Sequence, residues 1–584
     1  MNTALPRPSR RTDRLHTVLF VAFGFGILLS HGLGTGAPSV PKWLFLFLAA
    51  ASVLCWSVIA SARRRLIRAD DVDLLLIAFN AIAALSLAWS PDPAGGAVRL
   101  AGIASISVLI AYFRHCDRTM LATRLSLTSI CAIAAILLRL AFLPEPKAGF
   151  VTDNALSETV LLLAPFAVLW TFVRHGPDRW LGVLLAAFGV IALLVLVDSL
   201  IEYGALATFA GYAAVAAARH KAGRVAAIMT AVILLAGLGV CLFAVWDKFV
   251  AVEPFAKRVE MFVNVGAMWL QAPIFGHGLG GFDYGYPLYQ QYHLKLLPTL
   301  DPQVLKSAFD IAEDAHNEAL QVLVETGLPG FAVAAALAVA ALRRVFHLRE
   351  LSAVERASAC SLVMLAGFAM IDYPMHNPST AAAGAAAMGI VLRSTRAARR
   401  RRVRFLLPRP AMLPVGAAGA AVLAAALVAV SPVYLAAYNA GVAHRIQKFE
   451  PREAASRTRD AYTLFPLSPD YRREAFATYV GSVARSRARG SDARKSAQPV
   501  YDAALSAGRW TPETLVTRVR FLLLTSVRED DLAEAETILA ALKLQVPRFS
   551  EIYVAEGYLA RRKGERGLAD AAFARAAKLR RNLD

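Results

Sequence analysis

Long uninterrupted apolar runs, repeated over most of the chain, restrict its fold more than any other feature. The hydrocarbon core of a bilayer takes about 20 apolar residues as an α-helix, and continuous runs select helices rather than the alternating strands of a barrel. Such runs fall near 16–34, 43–61, 72–89, 99–113, 125–143, 156–173, 180–198, 203–218, 225–245, 328–342, 355–372, 378–392 and 411–433. By the length criterion they make about thirteen spans. Composition agrees: 57% of residues are hydrophobic and 18% charged, well short of the roughly 25% charge of a soluble domain. The sequence therefore predicts an all-α, polytopic transmembrane helix bundle.

Charge supplies the expected topology. Loops taken alternately carry Arg7 to Arg14, Arg63 to Arg68, Arg114 and Arg118, Arg174 and Arg179, Arg219 and Lys221, Arg343 and Arg344, and the ARRRRVR run ending at Arg404. The other short loops hold only Lys42, Arg99 and Lys147. This asymmetry predicts that the basic set is cytoplasmic. It accounts for the net charge of +20 without a nucleic-acid partner. The first run follows an Arg-rich start, but with no small-residue cleavage site it reads as a retained anchor rather than a signal peptide. The resulting map has a basic cytoplasmic N-terminus at 1–15, a membrane domain at 16–433, a large outer loop at 246–326 and an outer helical domain at 434–584. All five cysteines lie in or beside spans, so neither an external disulfide nor a zinc site is expected.

In the C-terminal region, Tyr553, Gly557, Ala569, Phe573 and Ala576 fall at offsets used by tetratricopeptide repeats. A weaker copy runs from Ala535 to Pro547. This predicts helical hairpins that dock protein partners; a generic Ala-rich helical domain is the competing reading.

The outer loop carries KRVEMFVNVGAMWLQAPIFGHGLGGFDYGYP. Its first part is amphipathic, from Arg258 to Trp269. Gly276, Gly278 and Gly281 satisfy G-x-G-x-x-G formally, but no strand precedes them, which excludes a dinucleotide fold. One reading is a plain surface turn. The other is an anion nest in which backbone N–H groups at Gly276 and Gly278 meet a diphosphate. The aromatic residues that follow suit a membrane interface or a sugar platform equally. Further on, His316 precedes Leu320 and Leu323 at helical spacing, which predicts an imidazole on an apolar stripe. Asp310, Glu313 and Asp314 cluster nearby without a second histidine at metal-binding spacing, and no metal is expected.

Taken in order, these motifs resemble the bacterial O-antigen ligase and O-antigen (exopolysaccharide) polymerase superfamily. The carriers are GFVTDNALSETVLLLAPF with Asn154, Arg258 with PIFGHGLGGF, AHNEALQVLVETGLPG, and IDYPMHNPST with its Asp-Tyr-Pro segment. Together they cover roughly residues 150–392. One departure stands out: where the family usually has Ser-Arg before a span, this chain has SLIEYGALA, with Glu202 and Tyr203 in those places.

The resemblance implies a metal-independent and cofactor-free glycosyltransferase at the periplasmic face of the inner membrane. Its donor would be an undecaprenyl diphosphate-linked glycan, and its acceptor a polysaccharide, lipid A core or protein hydroxyl. It implies His316 as base or acceptor orienter and Arg258 as diphosphate clamp. Lys257 is a further cation, and Asn317 and Glu325 are supporting residues. Asp372 and His376 are an alternative orienter and base. The appended helical domain and the Asp-Tyr-Pro segment favour a polymerase of surface polysaccharide assembly. A non-catalytic scaffold or transporter is the other class, favoured by the missing Ser-Arg and disfavoured by the scarcity of charge within spans.

Overall fold

A computed structural model describes residues 39–64, 66–116, 118–142, 153–196, 200–244, 253–290, 314–346, 351–393, 403–406, 412–447, 449–466, 512–526 and 529–581, short pieces within 20–28 and 471–481, and positions 246, 292, 296 and 312. The N-terminal Arg cluster, most of the first expected span, Lys147, Asp310 and Glu313 lie outside the described residues.

The chain is a multi-pass helical protein. Its principal helices are α1 (Ser39–Arg64), α2 (Asp71–Ser86), α3 (Pro93–His115), α4 (Arg118–Phe142), α5 (Asp153–Val168), α6 (Leu181–Leu196), α7 (Leu200–Ala244), α8 (Glu253–Gln271), α9 (Glu318–Val345), α10 (Ala353–Ala369), α11 (Pro378–Val391) and α12 (Met412–Ile446). Among the described residues, seven helical segments are long and apolar enough to cross a membrane, and two shorter apolar helices accompany them. The expected spans at 203–218 and 225–245 are the two arms of α7, which breaks at Gly223 with φ 89°. The last expected span does not stop at 433 but runs on as helix to Ile446. The apolar run ends there, yet the residues that follow are good helix formers.

Local signals start several helices. Asp70 accepts from Val72 and Asp73 N–H, and Asp73 returns a bond to Asp70, a capping box for α2. Asp92 caps α3 ahead of Pro93. Asn317 and Asn377 cap α9 and α11. Each cap fixes where a polar turn gives way to a span, and hence where the outermost side chains of that span emerge.

The core is shared among several helices. Helix α10 packs against α5, α7 and α11, α11 packs against α3, and α5 packs against α4 and α6. Leu156, Leu162, Ile133 and Phe368 are fully buried in this core. At the opposite end from Asn317, buried Arg114 ties α2, α3 and α11 together. Its Nη2 donates to both Asp70 oxygens at 2.6 and 2.8 Å, Nη1 pairs with Asp73, and Nε donates to the Leu392 carbonyl at 3.0 Å. Two four-residue strands, β1 (Leu66–Ala69) and β2 (Val403–Leu406), pair antiparallel there and link the end of α1 to the approach to α12, which packs on α1.

In the C-terminal region, helices α13 (Pro451–Leu464), α14 (Pro512–Thr525), α15 (Glu529–Gln545), α16 (Ser550–Lys563) and α17 (Arg566–Arg581) follow. Helices α16 and α17 pack on each other. A Cβ at Gly557 would stand 2.6 Å from the Phe573 ring, so only glycine lets that ring fill the seam. Tyr553, Ala569 and Ala576 are buried beside it.

Candidate active site at the helix N-termini

The site forms where α3, α5, α9 and α11 begin. Asn317 turns the chain into α9: its Oδ1 accepts from Leu320 N–H at 3.0 Å and its Nδ2 donates to the Met370 carbonyl at 2.9 Å. His316 therefore lies before the helix, not on its apolar stripe as the spacing with Leu320 predicts. It has φ 47°, the only positive φ at a non-glycine position among the described residues. Such a conformation costs on the order of 1 kcal/mol and persists only where neighbours hold it.

The holding group is Asp372. Its Oδ1 lies 3.0 Å from His316 Nδ1 and also accepts from Tyr373 N–H at 3.0 Å, while Oδ2 accepts from Asn154 Nδ2 at 2.9 Å. An ionised carboxylate can only accept, so Nδ1 carries a hydrogen and Nε2 keeps its lone pair in the neutral ring. The Tyr373 ring stands edge-on to the imidazole at 4.6 Å. Burial, and then Asp372 and Asp314, push its phenol pKa above the usual value, which keeps it protonated.

A second imidazole, His376, lies 6.2 Å from the Tyr373 ring. His376 Nδ1 is 2.7 Å from Asp314 Oδ1, which Arg99 Nη1 approaches to 3.4 Å. Burial alone would lower the His376 pKa, but Asp314 and Glu318 carry it up to about 9. Burial would likewise raise Asp314, yet His376 and Arg99 hold it well below the usual carboxylate range. The raised pKa favours the cationic form of His376 at neutral pH.

Arg258 comes from α8; burial pulls its pKa below the usual value, and Asp372, Tyr373 and Glu158, which it faces, only partly oppose that pull. Among the described residues it makes no direct hydrogen bond or close ion pair. Lys257 precedes it on α8, about 100° further round the helix, and is half-buried.

One expected contact group is corrected. Gly276 and Gly278 do not form an anion nest, because their donors are taken: Gly276 N–H bonds Ala272, His277 N–H bonds Val324, Gly278 N–H bonds Glu325 carbonyl, and Gly281 N–H bonds Gly278. Leu279 N–H goes to Ser86 Oγ and Gly280 N–H to Glu325 Oε1. The glycines serve close packing instead. Gly276 and Gly278 have φ 68° and 86°, and a Cβ on Gly278 would meet Ser90 Cα at 2.5 Å. Gly327, φ 66°, breaks α9 where the loop backbone presses against it. Asn317 and Glu325, expected to support the site, are both bonded within the protein. Glu325 is buried, and its Oε1 accepts from Arg99 at 2.9 Å, Gln321 at 3.0 Å and Gly280 at 3.2 Å.

Sequence reasoning passed over Arg99, Asp314, Tyr373 and Glu158 as site residues. Arg99 had a signal, being one of three basic residues in the base-poor loop set. At the departure from the family pattern, Tyr203 is 48% exposed, while Glu202 is buried and bonded to Ser157 Oγ, so neither replaces an arginine.

The fold and the site define a multi-pass helical membrane protein with a histidine–carboxylate centre at one end of its bundle. Residues 154–335 match a family model described as O-antigen ligase, a stretch that holds Asn154, Arg258, His316 and Glu325 but stops short of Asp372 and His376. Over that stretch, about a third of the chain, the sequence is similar to O-antigen ligase family domains. No curated protein matches it.

Proposed function

We propose that the protein transfers or polymerises an undecaprenyl diphosphate-linked glycan at the periplasmic face of a bacterial inner membrane, in surface polysaccharide assembly. The observation that carries this reading is His316 pinned by Asp372 with Nδ1 bound, inside an end of the bundle that Arg258 also faces. In the proposed reaction His316 Nε2 takes the proton of the acceptor hydroxyl as its oxygen attacks the anomeric carbon. The bond from that carbon to the diphosphate oxygen breaks, and Asp372 offsets the charge that forms on the imidazole. Arg258 opposes the charge of the departing diphosphate, a role suited to its forked donors.

The basic loop asymmetry supports a cytoplasmic N-terminus and an external site. The Asp-Tyr-Pro segment, which supplies Asp372, and the helical C-terminal domain favour polymerisation over ligation or protein glycosylation. The domain limits are proposed as 1–15, 16–433 with the loop at 246–326, and 434–584. The last of these is read as a tetratricopeptide-like docking domain.

The test is His316→Ala in cells deleted for the native gene, with surface polysaccharide run on a gel. Loss of polymer with normal membrane insertion is expected. A single repeat unit left on the acceptor identifies a polymerase, and free lipid-linked polymer a ligase. An unchanged profile overturns the base assignment and favours the scaffold.

A further inference from the structure

Glu158 is a carboxylate inside a span, and the roles assigned above leave it without a task. It lies one helical turn beyond Asn154 on α5 and so shares that residue's face, deeper in the bundle than the Asp372 carboxylate that Asn154 holds. It is 3% exposed, and its Oε1 has no hydrogen-bond partner among the described residues. The charged groups within electrostatic reach are Asp372, Glu318 and Arg258. Ionisable groups in spans are costly and mark functional sites, and a buried acceptor left unmet is costly as well. The adjacent Glu318 is already engaged by Met375 N–H at 2.7 Å. Arg258, across from Glu158, also lacks a direct partner.

A wall with a free guanidinium and a wall with a free carboxylate suit one ligand chemistry: oxyanions next to hydroxyl donors. A sugar attached to a diphosphate has both in adjacent positions. We propose that Glu158 accepts a hydroxyl of the sugar directly joined to the diphosphate, so that it selects the first sugar of the lipid-linked donor while Arg258 holds the diphosphate. This rests on the function proposed above.

The test uses the full-length protein in nanodiscs. Its ligands are plain undecaprenyl diphosphate and the lipid-linked glycan extracted from cells that lack the protein. The wild type is expected to bind the glycosylated lipid several-fold to roughly tenfold more tightly, the scale of one hydrogen bond. Glu158→Ala should erase that preference and leave binding of the plain lipid unchanged. Glu158→Gln, which keeps the volume, should reduce the preference several-fold and guards against a folding defect. Variants that keep the wild-type preference, or that lose both lipids equally, overturn the assignment while the function stands. A wild type that binds neither lipid overturns the function with it.

Discussion

Two local constraints set the orientation of His316. The Asn317 cap fixes where α9 starts, and the resulting positive φ aims the imidazole at Asp372. Asp372→Asn replaces an acceptor-only group by an amide that no longer selects the tautomer. Activity is expected to fall by roughly 10²- to 10⁴-fold, with unfolding temperature little changed, in a polymer-forming assay; near wild-type turnover would remove Asp372 from the mechanism. The second imidazole makes a separate prediction about stability. The folded pKa of His376 is about 9 against an ordinary 6.5, so its pair with Asp314 contributes fully below the unfolded value and is lost as pH rises through about 9. The depressed Asp314 pKa keeps the other partner charged over that whole range. Thermal unfolding in detergent should therefore show the wild type weakening between neutral pH and about 10, and His376→Asn showing a flatter profile. Parallel profiles would mean that the pair contributes nothing. The side chain of His376 is 30% exposed, so solvent screening limits the size of the effect.

At the level of elements, the 276–281 loop and the break in α9 are one packing unit. Gly278→Ala adds a methyl group against Ser90 at a φ that L-residues disfavour, an expected loss of roughly 1–3 kcal/mol by chemical denaturation. Because the Gly278 N–H serves Glu325, the donor KM of the protein that remains folded should not change. A large rise in KM would restore the anion-nest reading. Arg114 holds three helices through charged contacts that are almost entirely dry. Arg114→Ala leaves Asp70 and Asp73 unpaired and should cost roughly 3–5 kcal/mol, seen as poor recovery of monodisperse protein. In the sequence this arginine reads simply as one more cytoplasmic charge. Its guanidinium proves structural because α2, α3 and α11 converge on it, and nothing in a list of charges encodes that convergence.

Across the molecule as a whole, sidedness is the property on which the proposed function depends. A reporter fused after Pro298 should be active only outside the cytoplasm, and one fused after Arg404 only inside. The reverse pattern would move His316 away from lipid-linked donors and end the glycosyl-transfer reading. The polytopic helical class was legible in the residues, because lipid insertion depends on the length and continuity of apolar runs, which are local. So was the resemblance to O-antigen ligases over residues 154–335. The pairing of His316 with Asp372, 56 residues on, and of Arg99 with Glu325, 226 residues on, was not legible. Helical periodicity fixes the face of one element, but not which faces meet. The glycine loop shows the same limit from the other direction: its pattern fits both an anion nest and a close-packed turn. Packing settled the matter by occupying every backbone donor from Gly276 to Gly281, since a hydrogen-bond donor spent inside the protein is not available to a ligand.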